Sequence, residues 1–254
     1  DSNHPIAVLE AKRESINPLS AKEQARKYAD QVHARYIILS NGNLHYLWDT
    51  FEGNPEPIWK FPTLQSLVSS IAYKPNPQAL ANETVDSAYI ARSQMPDFEQ
   101  SPAWQADGGD RAEFVVNNKL KIMRGYQVEA IKAIQQAASH DKMRYLLEMA
   151  TGTGKTLTCA AIIKLFLKTE NAKRILFLVD RIELEEQAQT AFHDALGKDF
   201  ISVIYKKNRD DWGKAQIVVT TVQSLMVNDR YKDEFSPTDF ELVISDEAHR
   251  SISG

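Results

Sequence analysis

The sequence of 254 residues lacks the features that mark several classes of protein. It has one cysteine, Cys159, so no internal disulfide framework can form, and we expect a reducing, cytoplasmic environment. Its 10 glycines and 10 prolines are too few for a fibrous protein. No apolar run approaches the roughly 18 residues that cross a bilayer, so no membrane partner is expected. The chain begins at Asp1 without a basic and apolar leader, which indicates a mature or truncated segment.

An excess of charge of one sign is also missing. Lys and Arg number 30 against 34 Asp and Glu, for a net charge of -4. This excludes a protein that wraps nucleic acid through bulk positive charge. The content of 43% hydrophobic and 25% charged residues is typical of a globular protein and excludes a disordered chain. Any binding to nucleic acid must therefore depend on local placement of groups.

Alternation of strand and helix patterns predicts an α/β protein with three parts. Residues 1–74 form a first domain, in which Ser20 and Glu23 are predicted to form a capping box at the start of a helix. Residues 75–115, punctuated by proline and glycine, are interpreted as a linker. Residues 116–254 are predicted to contain a parallel sheet with helices on both faces. The expected strands are a hairpin over 35–48 in the first domain and 144–150, 174–180, 201–205, 217–221 and 242–244 in the last.

A phosphate-binding loop is predicted where the apolar segment 144–150 gives way to a helix pattern. The residues expected to form it are Thr151, Gly152, Thr153, Gly154, Lys155 and Thr156. The two glycines allow a tight turn whose N–H groups face phosphate oxygens at the start of a helix. Lys155 would reach the β- and γ-phosphates, and the hydroxyl of Thr156 would bind Mg²⁺. The strand and helix on either side argue against an ordinary glycine-rich turn, although Met149 replaces a glycine of the strict pattern.

An acidic pair, Asp246 and Glu247, follows the last predicted strand. Binding sites in open parallel sheets lie at the carboxyl ends of strands, where this pair is expected. Asp246 would hold Mg²⁺ through water, and Glu247 would polarise the water that attacks the γ-phosphate. A solvated loop is the alternative interpretation. Together with the loop at Lys155, the pair predicts an ATPase that uses ATP and Mg²⁺.

These two motifs, Ala-Thr-Gly-Thr-Gly-Lys-Thr and Asp-Glu-Ala-His, resemble motifs I and II of superfamily-2 helicases and translocases. Arg124 and Gln127 lie in a segment that resembles one found upstream of motif I, where the glutamine amide pairs with the adenine edge. The segments around Arg181 and around Thr220 and Thr221 resemble motifs that contact the nucleic-acid backbone. The resemblance also implies that His249 couples the ATP site to nucleic acid. For Arg181, Thr220 and Thr221 the alternative is an exposed residue that is simply solvated. For His249 the alternative is an ordinary core or surface histidine.

A second candidate site lies near the start of the chain. Glu10 and Lys12 are two residues apart in a predicted strand, so both side chains project from one face. In metal-dependent nucleases a carboxylate at such a position binds Mg²⁺, and the lysine orients or activates the attacking water. Gln24 and Tyr28 share a face of the following helix because they are four residues apart. A simple ion pair between Glu10 and Lys12 is the alternative.

The combination resembles the restriction subunit of type I restriction–modification enzymes. In that family a PD-(D/E)xK nuclease with a Gln-x-x-x-Tyr helix precedes a superfamily-2 DNA translocase. The resemblance implies a partial nuclease domain followed by a RecA-like ATPase lobe. It also implies ATP-dependent DNA translocation and endonucleolytic cleavage, double-stranded DNA as substrate, and methyltransferase and specificity subunits as partners.

Two departures from this family affect what the chain is expected to do alone. The family's first metal-ligating aspartate falls upstream of the sequence, and Asp1 is a poor substitute for it. The sequence stops at Gly254, so the second lobe and its arginine contact to the γ-phosphate are absent. We therefore expect this chain by itself neither to cut DNA nor to hydrolyse ATP at a useful rate.

Two other functions are compatible with parts of the sequence. One is a solitary DEAH-type helicase of DNA repair or RNA metabolism with a structural amino-terminal domain. The other is a non-catalytic, nucleotide-dependent interaction module. Glu247 argues against the module, because a protein that only binds nucleotide needs no carboxylate to activate water.

Overall fold

The computed structural model describes residues 5–106, 108–140, 142–208, 212–227 and 230–247. The chain divides into two compact units. The first consists of the described residues up to Tyr73 together with those of Leu225–Asp239, and the second of those from Lys74 to Ser224 and from Phe240 onward. Among these residues, no helix combines the length and hydrophobicity needed to cross a membrane.

The first unit is built on a four-stranded mixed sheet in the order β1-β2-β3-β4. β1 is parallel to β2, while β2, β3 and β4 form an antiparallel meander, so the expected hairpin is confirmed. One face packs against helix α1, and the other packs against helix α2. The bounds are β1 Ala7–Ala11, α1 Lys22–Val32, β2 Tyr36–Ser40, β3 His45–Asp49, β4 Glu56–Ile58 and α2 Leu64–Ala72.

The start of α1 differs from the capping box that the sequence predicts. The side chain of Asn17 accepts a hydrogen bond from the N–H of Leu19 and begins a 3-10 turn over Pro18–Ala21. Because this turn runs directly into the helix, Ser20 lies inside it and donates its hydroxyl hydrogen to the carbonyl of Asn17. The prediction that Ser20 is the N-cap is therefore wrong. Pro18, whose ring restricts φ, instead begins the 3-10 turn that contains Ser20.

The second unit contains a parallel sheet in the order β6-β7-β5-β8. The α/β class with a parallel sheet is thus confirmed. Its core joins Phe177, Phe192, Ile163 and Ile217, each at most 1% exposed. The bounds are α7 Gly125–Ala138, α8 Lys155–Lys168, β5 Ile175–Val179, α9 Ile182–Leu196, β6 Ser202–Ile204, β7 Ile217–Thr221 and β8 Leu242–Ser245. Between β7 and β8, helix α10 Val222–Met226 spans the boundary of the units, and α11 Arg230–Glu234 belongs to the first unit.

The stretch 75–115, expected to be a linker, is folded into the second unit. Its described residues form a 3-10 turn over Phe98–Gln100 and four α-helices: α3 Pro77–Asn82, α4 Ala91–Gln94, α5 Pro102–Gln105 and α6 Gly109–Asn117. Leu80, Ile90 and Phe98 are at most 1% exposed, and Arg92 pairs with both Asp86 and Glu99. These helices are too short for a repeating apolar pattern, which explains why periodicity did not reveal them.

The strand expected over 144–150 does not form in the described residues. This segment is irregular backbone, and Leu146 is 89% exposed. The described sheet has the order β6-β7-β5-β8, and this segment pairs with neither of its edge strands. The apolar composition of the segment was therefore a misleading signal for a paired strand.

Candidate nucleotide and nuclease sites

The residues of the predicted phosphate loop form a tight turn that leads into α8. Gly152 and Gly154 have φ angles of 77° and 82°, in the left-handed region that side chains disfavour. Gly154 occupies the N-cap position of α8, and Lys155 and Thr156 open the helix. The first N–H groups of a helix have no partner within it and favour an anion. The local geometry is therefore suited to phosphate.

The acidic pair lies at the carboxyl end of β8 and contacts this loop. The side chains of Lys155 and Glu247 form an ion pair and a hydrogen bond. The hydrogen bond to Glu247 raises the pKa of Lys155, and the nearby Asp246 contributes in the same direction. The N–H of Asp246 donates to the carbonyl of Leu178 at 2.8 Å, which fixes the pair beside β5. The structure therefore brings together the residues of both motifs.

Asp246 also lies close to the first turns of α8. Burial raises the pKa of the Cys159 thiol to about 12, and the carboxylate of Asp246 adds to this effect. In the described part of the chain, no group of three or more His, Cys, Asp or Glu side chains could hold a metal alone. A hydroxyl and a carboxylate do suit Mg²⁺, which usually takes its other ligands from water and substrate phosphates. The donors of Thr156 and Asp246 fit that requirement.

The first turn of α7 contacts the phosphate loop directly. Both amide hydrogens of Gln127 are donated to loop carbonyls, those of Thr153 and Gly154, at 3.1 Å each. The Gln127 oxygen accepts the N–H of Arg124 at 2.8 Å, and the residue is 2% exposed. The hydroxyl of Tyr126 donates to the Thr153 carbonyl at 2.7 Å. Tyr126 was not among the predicted site residues, although it lies between two of them.

The residues predicted to contact nucleic acid differ in their accessibility. The side chain of Arg181 is 65% exposed, at the N-cap of α9. Thr220 and Thr221 end β7 and are 0% exposed, so their side chains are not presented to a ligand in this structure. The hydroxyl of Thr221 is bonded to that of Ser224. His249 lies outside the described residues.

A buried carboxylate that sequence reasoning missed supports the end of β7. Glu185 is 3% exposed on α9 and accepts a hydrogen bond from the N–H of Thr221 at 3.0 Å. Burial raises its pKa. Glu185, Ala188 and Phe192 lie at helical spacing on the buried face of α9. A charged residue within such an apolar stripe was the signal that could have identified it.

Three of the four predicted nuclease residues lie together on the α1 face of the first sheet. The ammonium of Lys12 is 2.8 Å from the carboxylate of Glu10 and donates to the amide oxygen of Gln24 at 3.3 Å. Tyr28 follows Gln24 by about one turn of α1 and is 47% exposed. The predicted face sharing of Glu10 and Lys12 is therefore observed. Asp1 lies outside the described residues.

Comparison with known proteins was made for the whole chain. The family model described as Type III restriction enzyme, res subunit, matches residues 120–254, just over half of the chain. The EcoKI endonuclease subunit of Escherichia coli K12, a type I restriction enzyme, is 40% identical over 134 residues, covering 50% of this chain and 12% of that protein. The type I EcoAI endonuclease subunit of Escherichia coli is 28% identical over 249 residues, covering 97% and 28%. The type I SauMSSORF170P endonuclease subunit of Staphylococcus aureus MSSA476 is 28% identical over 266 residues, covering 98% and 26%.

These relatives confirm the resemblance to restriction subunits of type I enzymes that the motifs predicted. Two of them align with both units of the chain, including the residues before Tyr73. The chain spans about a quarter of the length of those two relatives.

Proposed function

We propose, because the chain belongs to the ResIII family of restriction enzyme res subunits, that it is part of an ATP-driven DNA translocase and endonuclease. Its role would be that of the endonuclease subunit of a type I restriction enzyme, as in the relatives that align along its length. The observation that carries this proposal is the ion pair between Lys155 and Glu247, which joins the phosphate loop to the acidic strand end. A loop of this kind next to a carboxylate that can activate water is typical of an ATPase.

The same ion pair suggests how ATP would prepare the site for hydrolysis. A triphosphate would compete with the Glu247 carboxylate for the Lys155 ammonium, because phosphate is the stronger partner for a lysine at a helix start. Glu247 would then polarise the attacking water. Thr156 and Asp246 would hold Mg²⁺, which when bound neutralises charge on the phosphates.

The first unit would supply the cutting site. Glu10 would bind a divalent metal ion, and Lys12 would orient the water that attacks the DNA phosphate. Gln24 holds the Lys12 ammonium through its amide oxygen, so it would keep the lysine in place when the carboxylate turns to the metal. Tyr28 is exposed on the same side of α1 and would contact the DNA backbone.

Double-stranded DNA is the proposed substrate, and methyltransferase and specificity subunits are the proposed partners. Arg181 has an exposed, positively charged side chain that would contact the DNA backbone. The alternative of a solitary helicase is less well supported, because the type I relatives align over 97% and 98% of the chain. A relative of that kind would be expected to match the second unit only.

The nucleotide site can be tested by titration calorimetry with ATP and Mg²⁺. Lys155→Ala removes the group that would bind the β- and γ-phosphates, and we expect at least about a tenfold loss of affinity for a charge-assisted contact. Lys132→Ala is the control, because Lys132 is an exposed lysine of α7 in the same unit. Equal affinity of both variants for ATP would refute the proposal.

A further inference from the structure

Lys12, the lysine of the proposed nuclease site, lies just past the end of its strand. β1 ends at Ala11, and its register with β2 ends at the pair of Ala11 and Ser40. The backbone N–H of Lys12 donates to the carbonyl of Ser40 at 2.8 Å. A strand end frays readily, and a residue that rotates there no longer projects from the face that it shares with Glu10. The position of Lys12 therefore depends on what holds the chain after it.

The side chain of Asn41 holds that part of the chain. Asn41 directly follows β2 and is 8% exposed. Its amide nitrogen Nδ2 donates one hydrogen to the carbonyl of Glu14 and the other to the carbonyl of Ile16, at 3.0 Å each. We call these two hydrogen bonds the tether. Two neighbouring residues at the end of β2, Ser40 and Asn41, thus bond the backbone at Lys12 and just beyond it.

The tether uses the part of the Asn41 amide that the hairpin turn does not need. Asn41 begins the turn between β2 and β3, and its oxygen Oδ1 accepts the N–H groups of Asn43 and Leu44 at 3.1 and 2.8 Å. Asparagine and aspartate are both common in such turns, because either side chain supplies this acceptor. The two amide hydrogens are additional to that role, so all four hydrogen-bonding positions of the side chain are filled.

We propose that Asn41 is a positioning residue that keeps Lys12 in place for DNA cleavage. The tether and the Ser40 carbonyl fix the backbone around Lys12. Glu10 and Gln24 hold its ammonium. A lysine side chain is long and flexible, so contacts at its end hold the ammonium in one place only when the backbone is fixed as well. The inference rests on the proposed nuclease site, and it adds a residue outside the Glu10 and Lys12 pair on which the cleavage rate depends.

Asn41→Asp separates the tether from the turn. A carboxylate still accepts the two N–H groups of the turn, but it has no hydrogen for the carbonyls of Glu14 and Ile16. Asn41→Ser is a milder variant, since a hydroxyl donates one hydrogen where the amide donates two. Asn43→Ala is the matched control, because it removes an asparagine side chain of the same turn that donates to the Glu14 carboxylate, outside the tether.

Hydrogen exchange of the peptide covering 12–17, measured without metal or DNA, reports the tether directly. We expect about 25-fold faster exchange in Asn41→Asp, which loses two net hydrogen bonds of about fivefold each, and about fivefold faster exchange in Asn41→Ser. Asn43→Ala should exchange like the unaltered chain. Unchanged exchange in Asn41→Asp would overturn the proposal.

DNA cleavage gives the second readout, measured in a single turnover on the chain assembled with the subunits proposed above as its partners. Asn41→Asp should lower the rate constant at least about tenfold, because displacement of a reacting group by about 1 Å can cost about 10²-fold in rate. The amplitude and the DNA concentration for half-saturation should stay the same. A normal rate constant with a reduced amplitude would overturn the proposal, since it would show that Asn41 only supports folding.

The proposed nuclease function has its own test in Lys12→Ala. If that variant cuts DNA at the normal rate, the nuclease assignment of Lys12 fails and Asn41 has no catalytic group to position. The exchange measurement still decides whether the tether exists.

Discussion

Glu247 is held in a backbone conformation that residues with a Cβ rarely adopt. Its φ is 51°, in the left-handed region that costs a non-glycine residue roughly 1–2 kcal/mol. The carboxylate of Asp246 accepts the N–H of Glu247 at 3.0 Å and helps to hold this turn. The conformation directs the Glu247 carboxylate toward Lys155. Strain of this kind is common where a side chain must be aimed at a reacting group.

Lys164 is a buried cation of α8 that belongs to neither candidate site. It is 7% exposed, donates to the carbonyl of Tyr89 and lies 4.3 Å from the centre of the Tyr89 ring. Burial lowers its pKa to about 8. Charged groups around it act in both directions: Asp199 and Glu83 raise the pKa, while Lys168 and Arg92 lower it.

We predict that Lys164 makes stability depend on pH in the alkaline range. Between pH 8 and 10.5 the folded chain has lost the Lys164 proton while the unfolded chain retains it, so the free energy of unfolding should rise with pH. Below pH 8 Lys164 is protonated in both the folded and the unfolded chain. Its contribution to the free energy of unfolding therefore does not change with pH in that range. Urea unfolding of the unaltered chain and of Lys164→Met should therefore show a stability difference that changes between pH 7.5 and 10, a range chosen around that pKa of about 8.

Lys132→Met is the control for this prediction, because Lys132 is exposed on α7. Loss of the Lys164 hydrogen bond to Tyr89 shifts the free energy of unfolding by the same amount at every pH. Only the slope of that free energy against pH therefore reports the lowered pKa of Lys164. Parallel stability profiles for the chain and Lys164→Met would contradict a depressed pKa.

At the scale of elements, Glu185 ties α9 to the end of β7. It joins the helix that begins after Arg181 to the strand that ends at Thr221. The two segments predicted to contact DNA are thus connected through one buried carboxylate. The role of Thr221 in this structure is to receive that support through its N–H, while its hydroxyl bonds to Ser224.

We predict that Glu185→Ala lowers the free energy of unfolding by about 2 kcal/mol, because it leaves the buried N–H of Thr221 without an acceptor. Glu185→Gln should remain close to the unaltered chain, since an amide oxygen still accepts that hydrogen and burying a neutral group costs less. Urea unfolding measures both. Glu186→Ala, which removes an exposed carboxylate one residue away, should have little effect, and equal losses for Glu185→Ala and Glu186→Ala would contradict the assignment.

Elements whose own pattern determines them were predictable from the sequence. α7, α8 and α9 formed where helix patterns placed them, and β5, β7 and β8 formed in apolar runs that pair with one another. The segment 144–150 has a similar composition but stays irregular, because a strand also requires pairing with another strand, which an apolar run does not by itself ensure. Ser20 lost the N-cap position to a turn begun by Asn17 and Pro18. Local rules thus succeed until a distant partner or a competing turn decides the outcome.

The same distinction applies to the candidate sites. Lys155, Glu247, Glu10 and Lys12 were proposed from motifs, and the structure shows one ion pair between Lys155 and Glu247 and another between Glu10 and Lys12. Their catalytic roles stay predictions. The hydrogen bond from Tyr126 to the Thr153 carbonyl and the bond from Thr221 to Glu185 join residues that are 27 and 36 positions apart. No spacing rule predicts such contacts, since they depend on how the helices pack.

At the scale of the whole molecule, the first unit is completed by a distant stretch of chain. Leu225–Asp239, between β7 and β8, belongs to this unit. Lys60 Nζ donates to the carbonyl of Glu234 at 2.7 Å, and the hydroxyls of Ser66 and Thr238 are bonded to each other. The chain segment that links the strand of Thr221 to the strand of Asp246 is therefore anchored in the unit that carries Glu10. The two candidate sites remain in different units, which makes their chemistry separable by substitution.

The last prediction uses that separation in the chain assembled with the subunits proposed above as its partners. Glu10→Ala should abolish DNA cleavage, because a divalent metal would lose a charged ligand. DNA-dependent ATP hydrolysis should stay within about twofold of normal, since the two sites lie in different units and share no residue. Lys155→Ala should abolish ATP hydrolysis. Glu14→Ala is the control for the first unit, because Glu14 is a carboxylate of the same segment that bonds to Asn43 and lies outside the Glu10 and Lys12 pair. Cleavage that persists in Glu10→Ala would remove the nuclease assignment and leave the motor assignment standing, whereas loss of both activities in Glu10→Ala would mean that Glu10 supports the fold rather than the chemistry.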